Sequence, residues 1–84
     1  MIKKSIKIEL PSGLEARPVA LLVQVASQYE SKIHVEVEQK RVNAKSIMGM
    51  MTLGLDTGEE ITLYVNGEDE EAAMDSIEKY LSNQ

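Results

Sequence analysis

Two short stretches of this 84-residue chain hold residue types that could do chemistry. The first, Gly13-Leu14-Glu15-Ala16-Arg17-Pro18, reads as a loop running into the start of a helix. The free backbone N–H groups and partial positive charge of such a start attract anions, so a phosphate or a carboxylate can be held there. Equally, Glu15 can be a carboxylate favoured by the helix dipole and Arg17 an ordinary surface residue.

The second stretch is Asn43-Ala44-Lys45-Ser46-Ile47-Met48-Gly49-Met50-Met51. Serine is a preferred helix cap, and Ser46 precedes a helix too short to bury every large apolar side chain it carries. Ile47, Met48, Met50 and Met51 therefore form either an adaptable binding patch, which flexible methionine suits, or a satellite core under a loop. A phosphate on Ser46 would add about −1.5 to −2 charges at a helix N-terminus, where negative charge is favoured and the fold need not change. An unmodified cap is the alternative.

His34, the one histidine, alternates with Ile33 and Val35 and so falls on the polar face of a strand, far in sequence from the Glu15 loop. No His–carboxylate pair at metal-ligand spacing, nucleophile motif or P-loop is present, and with no cysteine there is neither a thiol nucleophile nor a thiolate ligand. The expectation is a protein with no catalytic residues, no metal and no cofactor.

The elements that must position these residues follow from periodicity. Ile6, Ile8 and Leu10 alternate with charge as a strand that stops at Pro11-Ser12-Gly13. From Ala16 to about Tyr29, Leu21, Leu22, Val25 and Ala26 recur at helical spacing, with Pro18 tolerated in the first turn. Ile33, Val35 and Val37 alternate again, and Glu38-Gln39-Lys40 turns the chain into Arg41-Val42-Asn43, a hairpin. Ser46 starts a short helix to Thr52, Leu53 to Gly58 reads as a loop, Ile61, Leu63 and Val65 mark a strand, and Asp69 opens a helix with Ala73, Met74, Ile77 and Leu81 on one face. The order βαββαβα packs most simply as an α+β open-faced β-sandwich, a four-stranded, mainly antiparallel sheet with three helices on one face. One domain over residues 1–84 is expected.

Composition sets the class of partner. Hydrophobic residues at 43% and charged residues at 27% are the balance of a folded soluble chain. A formal net charge of −5 disfavours a broad contact with nucleic acid, which needs clustered Lys and Arg. Neither a secretion signal nor a membrane-spanning stretch is legible, and a cytoplasmic protein is expected.

With these residues in view, the chain resembles the HPr-like phosphocarrier family. Gly13-Leu14-Glu15-Ala16-Arg17-Pro18 resembles the family's active-site loop, Val42-Asn43-Ala44-Lys45-Ser46-Ile47-Met48-Gly49-Met50-Met51 resembles its regulatory serine segment, and the spacing between the two agrees. Gly67-Glu68-Asp69-Glu70 resembles the entry to the family's last helix, so the likeness runs over nearly the whole chain. One departure bears on function: the phosphocarrier histidine of the family is Glu15 here. Loss of that histidine with retention of the serine segment is similar to the Crh branch of catabolite repression, better known with glutamine at that position.

The resemblance implies that HPr kinase/phosphorylase phosphorylates Ser46, and that the product is a corepressor for the LacI-type repressor CcpA. It implies an apolar partner surface of Ile47, Met48 and Met51, polar contacts from Arg17 and Lys45, and core positions for Met50 and Leu53. It also extends to methylglyoxal synthase as a partner of the unphosphorylated form. A working HPr-type phosphocarrier of the sugar phosphotransferase system is the alternative, with Glu15 accepting phosphate or bypassed. The Pro11-Ser12-Gly13 hinge would allow the first strand to exchange between two chains in a strand-swapped homodimer.

Overall fold

In the computed structural model residues 1–10 and 16–82 are described. The elements run β1 (Ile2–Lys7), α1 (Ala16–Ser27), β2 (Lys32–Val37), β3 (Lys40–Asn43), α2 (Ile47–Met51), β4 (Glu60–Asn66) and α3 (Glu70–Leu81). The strands form one antiparallel sheet in the order β1-β4-β2-β3, which is the expected βαββαβα open-faced sandwich.

Alternation sends Ile6, Ile33, Val35, Ile61, Leu63 and Val65 to one face, where they are buried. The stripe Val19, Leu22, Val23 and Ala26 of α1 and the stripe Ala73, Met74, Ile77 and Leu81 of α3 complete this core. Leu21, expected on the apolar stripe of α1, stays 45% exposed, because the buried stripe turns past it.

The first strand leaves the ladder earlier than its alternation suggests. Lys7 pairs with Glu60 at the start of β4 and pairing ends there. Ile8 and Leu10 are still buried, but their backbone bonds loops and a helix end: Ile8 N–H donates to the Glu59 carbonyl at 2.9 Å and Glu9 N–H to the Leu81 carbonyl at 2.8 Å. An apolar period of two reports which side chains are inward, whether or not a neighbouring strand is there to pair.

The start of α3 is anchored across the molecule. Asp69 stands at its N-cap position without a side-chain cap bond. Its carboxylate accepts instead from Glu30 N–H at 2.9 Å, Ser31 N–H at 3.0 Å and the Ser31 hydroxyl. These bonds, the one from Ser31 Oγ first, hold the Asp69 carboxyl below its ordinary range. The β2–β3 turn places Glu38 at φ 57, a left-handed conformation in a non-glycine residue.

Candidate functional site

Ser46 has an extended backbone (φ −108°, ψ 114°), as an N-cap residue requires, and precedes the five-residue helix α2. Its Oγ accepts the Gly49 N–H at 3.1 Å while its carbonyl accepts the Met50 N–H at 3.0 Å. The approach to Ser46 is set one turn earlier, where Asn43 Oδ1 accepts the Lys45 N–H at 2.8 Å and the Asn43 carbonyl accepts the Ser46 N–H at 3.0 Å. Gly49 lets this cap close, since a Cβ at that position would sit 3.3 Å from Ser46 Oγ.

The apolar residues after Ser46 divide by helical angle. Met50 is fully buried and Leu53 packs half-buried against the core. Ile47, Met48 and Met51 are 50%, 82% and 44% exposed, a cluster of large apolar side chains next to a hydroxyl on one short helix. Leu21 of α1, the helix packed against α2, is a further large apolar side chain in solvent. Only its placement off the buried stripe could have marked it in the sequence.

The two cations fall at different ends of α1. The half-buried Lys45 donates its Nζ to the Tyr29 carbonyl at 2.7 Å, just past the C-terminal end of that helix, where cations are favoured. Arg17 is exposed in the first turn, separated from Ser27 by about 15 Å of helix. Glu15 and the Pro11-Ser12-Gly13 hinge lie outside the described residues.

His34 lies on the opposite, open face of the sheet, cross-strand from Tyr64 and Asn43. Partial burial, then the positive charges of Arg41 and Lys32, press its pKa below 6.5. Among the described residues no group of three or more His, Asp or Glu side chains could hold a metal, and no helix is long and apolar enough to cross a membrane.

A family model described as the PTS HPr component phosphorylation site matches residues 2–83. HPr-like protein Crh of Bacillus subtilis (strain 168) is 43% identical over 84 residues, covering 100% of this chain and 99% of that protein. The crystal structure of phosphocarrier protein HPr from Bacillus anthracis superposes with a TM-score of 0.92 at 42% identity, covering 95% of each chain. That of Bacillus subtilis Crh, described as a dimer with a swapping domain, superposes with a TM-score of 0.81 at 43% identity, covering 100% of this chain and 97% of that one.

Proposed function

This chain belongs to the HPr family, with Crh among its full-length relatives, and from that premise we propose that it is a non-catalytic regulatory protein of carbon catabolite repression switched by phosphorylation of Ser46. The observation that carries the reading is the junction at α2: a half-buried serine at the N-cap, followed at once by exposed Ile47, Met48 and Met51. HPr kinase/phosphorylase supplies the phosphate from ATP, and the phosphorylated form acts as corepressor for CcpA.

In that complex the added charge pairs with basic groups of the repressor through charge-assisted hydrogen bonds, while Ile47, Met48 and Met51 enter an apolar groove. Arg17 and Lys45 contribute polar contacts from the two ends of α1; one Nζ–H of Lys45 is already committed to Tyr29, leaving two donors for a partner. The bare serine beside the same apolar patch suits a second partner that rejects phosphate, and methylglyoxal synthase fills that role. The protein works in the cytoplasm.

Glu15 replaces the imidazole that carries phosphate in working HPr. A carboxylate would have to form a labile acyl phosphate and otherwise presents a fixed negative charge, so the chain does not relay phosphate to sugar transport. A strand-swapped homodimer is a second assembly of the same chain, supported by the swapping domain described for Crh; sedimentation velocity should show a dimer in equilibrium with monomer, and a monomer at every concentration rules it out.

Intact mass with site mapping tests the reading. One phosphate on Ser46 is expected after HPr kinase/phosphorylase with ATP, and none after enzyme I with phosphoenolpyruvate. Transfer from phosphoenolpyruvate to Glu15 would make the chain a carrier.

A further inference from the structure

The face of the sheet turned away from the helices has an uneven charge distribution. Cross-strand register sets its rows: Lys32 opposite Asn66, then Lys3, Tyr64, His34 and Asn43 across all four strands, then Ser5, Thr62, Glu36 and Arg41. No carboxylate belongs to the first two rows, although the chain has 14 Asp and Glu against nine Lys and Arg. Arg41 leans from the third row over the Tyr64 ring, its guanidinium 4.2 Å from the centroid, and Lys3 Nζ lies 5.5 Å from the same centroid.

These charges are available. The described ion pairs engage Met1, Lys4 and Lys79, whereas Lys3, Lys32 and Arg41 meet no described carboxylate within ion-pair distance. Two adjoining shallow depressions share Lys32 and His34: one of about 390 Å³ reaches Asn43 and Lys45, and one of about 140 Å³ reaches Arg41, Tyr64 and Asn66. Both are open to solvent, a shape for something laid across the strands and not for an enclosed small molecule.

We infer that this half of the open sheet face is a docking surface for an acidic polypeptide segment of a partner protein, lying over Tyr64 and His34 between Lys3, Lys32 and Arg41. Charge complementarity selects the occupant: a handful of cations on a chain of net charge −5 suits a short run of carboxylates and falls well below the phosphate contacts that hold a nucleic acid. The surface lies on the face away from the helices and borders the Ser46 segment at one edge, where the larger depression reaches Lys45 and the Asn43 carbonyl accepts the Ser46 N–H at 3.0 Å. The inference stands independently of which residue is phosphorylated.

His34 gives the surface a pH response. The groups facing it are Lys32 and Glu36 on its own strand, Arg41 and Asn43 from β3, Tyr64 from β4, Lys45 beyond β3, and Met1 ahead of β1, whose amine pairs with Glu70 at 3.0 Å. Protonation adds a cation to the patch, so binding of carboxylates should tighten as pH falls toward the range where His34 titrates.

The test is a heteronuclear NMR titration of the full chain with a synthetic peptide of alternating Glu and Gly, against its Gln-for-Glu analogue, inorganic phosphate and an oligothymidylate. The acidic peptide should shift Lys3, Lys32, His34, Arg41 and Tyr64 while leaving Met48 and Met51 unmoved, and Lys32→Glu with Arg41→Glu should weaken it by about tenfold. Lys32→Glu alone, at an exposed position, should give a smaller loss in the same direction and guards against misfolding of the double variant. An equal response to the Gln analogue, shifts spread evenly over every lysine, or phosphate or oligothymidylate matching the peptide would each overturn the inference.

Discussion

Ser46 Oγ accepts the Gly49 N–H at 3.1 Å, so the hydroxyl proposed as phosphate acceptor is also the cap of the helix that displays the methionines. Modification and helix stability are thereby coupled at one atom. Ser46→Ala should lose the phosphate and, with it, about 1 kcal/mol of stability from the missing cap. Ser46→Asp restores a capping oxygen and should melt within about 0.5 kcal/mol of the parent while still refusing phosphate. Chemical denaturation of both variants, beside kinase assays, checks this; Ser46→Ala as stable as the parent would show that the cap contributes nothing.

Met50 and Met48 lie two residues apart on α2 and should respond oppositely. Truncating the fully buried Met50 to alanine should cost about 2–5 kcal/mol through lost burial and the cavity left behind. Met48→Ala, at a side chain 82% exposed, should change stability by no more than about 0.5 kcal/mol yet weaken binding to the partner proposed for phosphorylated Ser46. Urea titrations alongside a binding assay separate the two effects.

The contact between Gly67 and Ser31 leaves no room for a side chain. A Cβ at position 67 would fall 2.6 Å from Ser31 Cα and from Ser31 Oγ, one of them backbone that cannot swing aside. Gly67→Ala should therefore destabilise by about 1–3 kcal/mol, as overpacking does, and should disturb the Ser31–Asp69 bonds. A thermal melt equal to the parent's would show that the β4–α3 junction yields more readily than its geometry suggests.

Acid stability should depend on Asp69. Its folded pKa is depressed, so between that value and the ordinary 3.8 the unfolded chain binds more protons than the folded one. The stabilisation is complete above the ordinary value and is lost as pH falls through the folded one. Ser31→Ala, by deleting the principal hydrogen bond, should raise the Asp69 pKa and move acid unfolding to higher pH, measurable by circular dichroism.

For His34 the depression also makes the folded state the poorer proton binder, between its lowered pKa and the ordinary 6.5. Stability should be greatest above that value and decline as pH falls through the window. Imidazole NMR signals should titrate with a midpoint under 6.5, and Arg41→Gln should shift it upward by removing the largest of the neighbouring charges.

Much of this was legible in the residues. The alternations at Ile33, Val35 and Val37 and at Ile61, Leu63 and Val65, the helical stripe of Ala73, Met74, Ile77 and Leu81, and the serine ahead of α2 are local patterns, and local geometry alone decides them. The division of Met50 and Leu53 from Ile47, Met48 and Met51 was expected from the family resemblance, and composition excluded thiol chemistry.

Other features required the fold, because they depend on chain segments that sequence does not place together. Leu55, read as loop, is buried, and Leu21, read as core, is half in solvent. Where β1 stops depends on where β4 begins, 53 residues later in the Lys7–Glu60 pair. Asp69 is at a helix start by local rule, yet its carboxylate serves Glu30 and Ser31. The cationic face exists only because antiparallel pairing brings Lys3, Tyr64, His34 and Asn43 into one row. Periodicity encodes inside and outside one segment at a time, whereas a surface is a property of the order in which segments pair, decided by long-range packing.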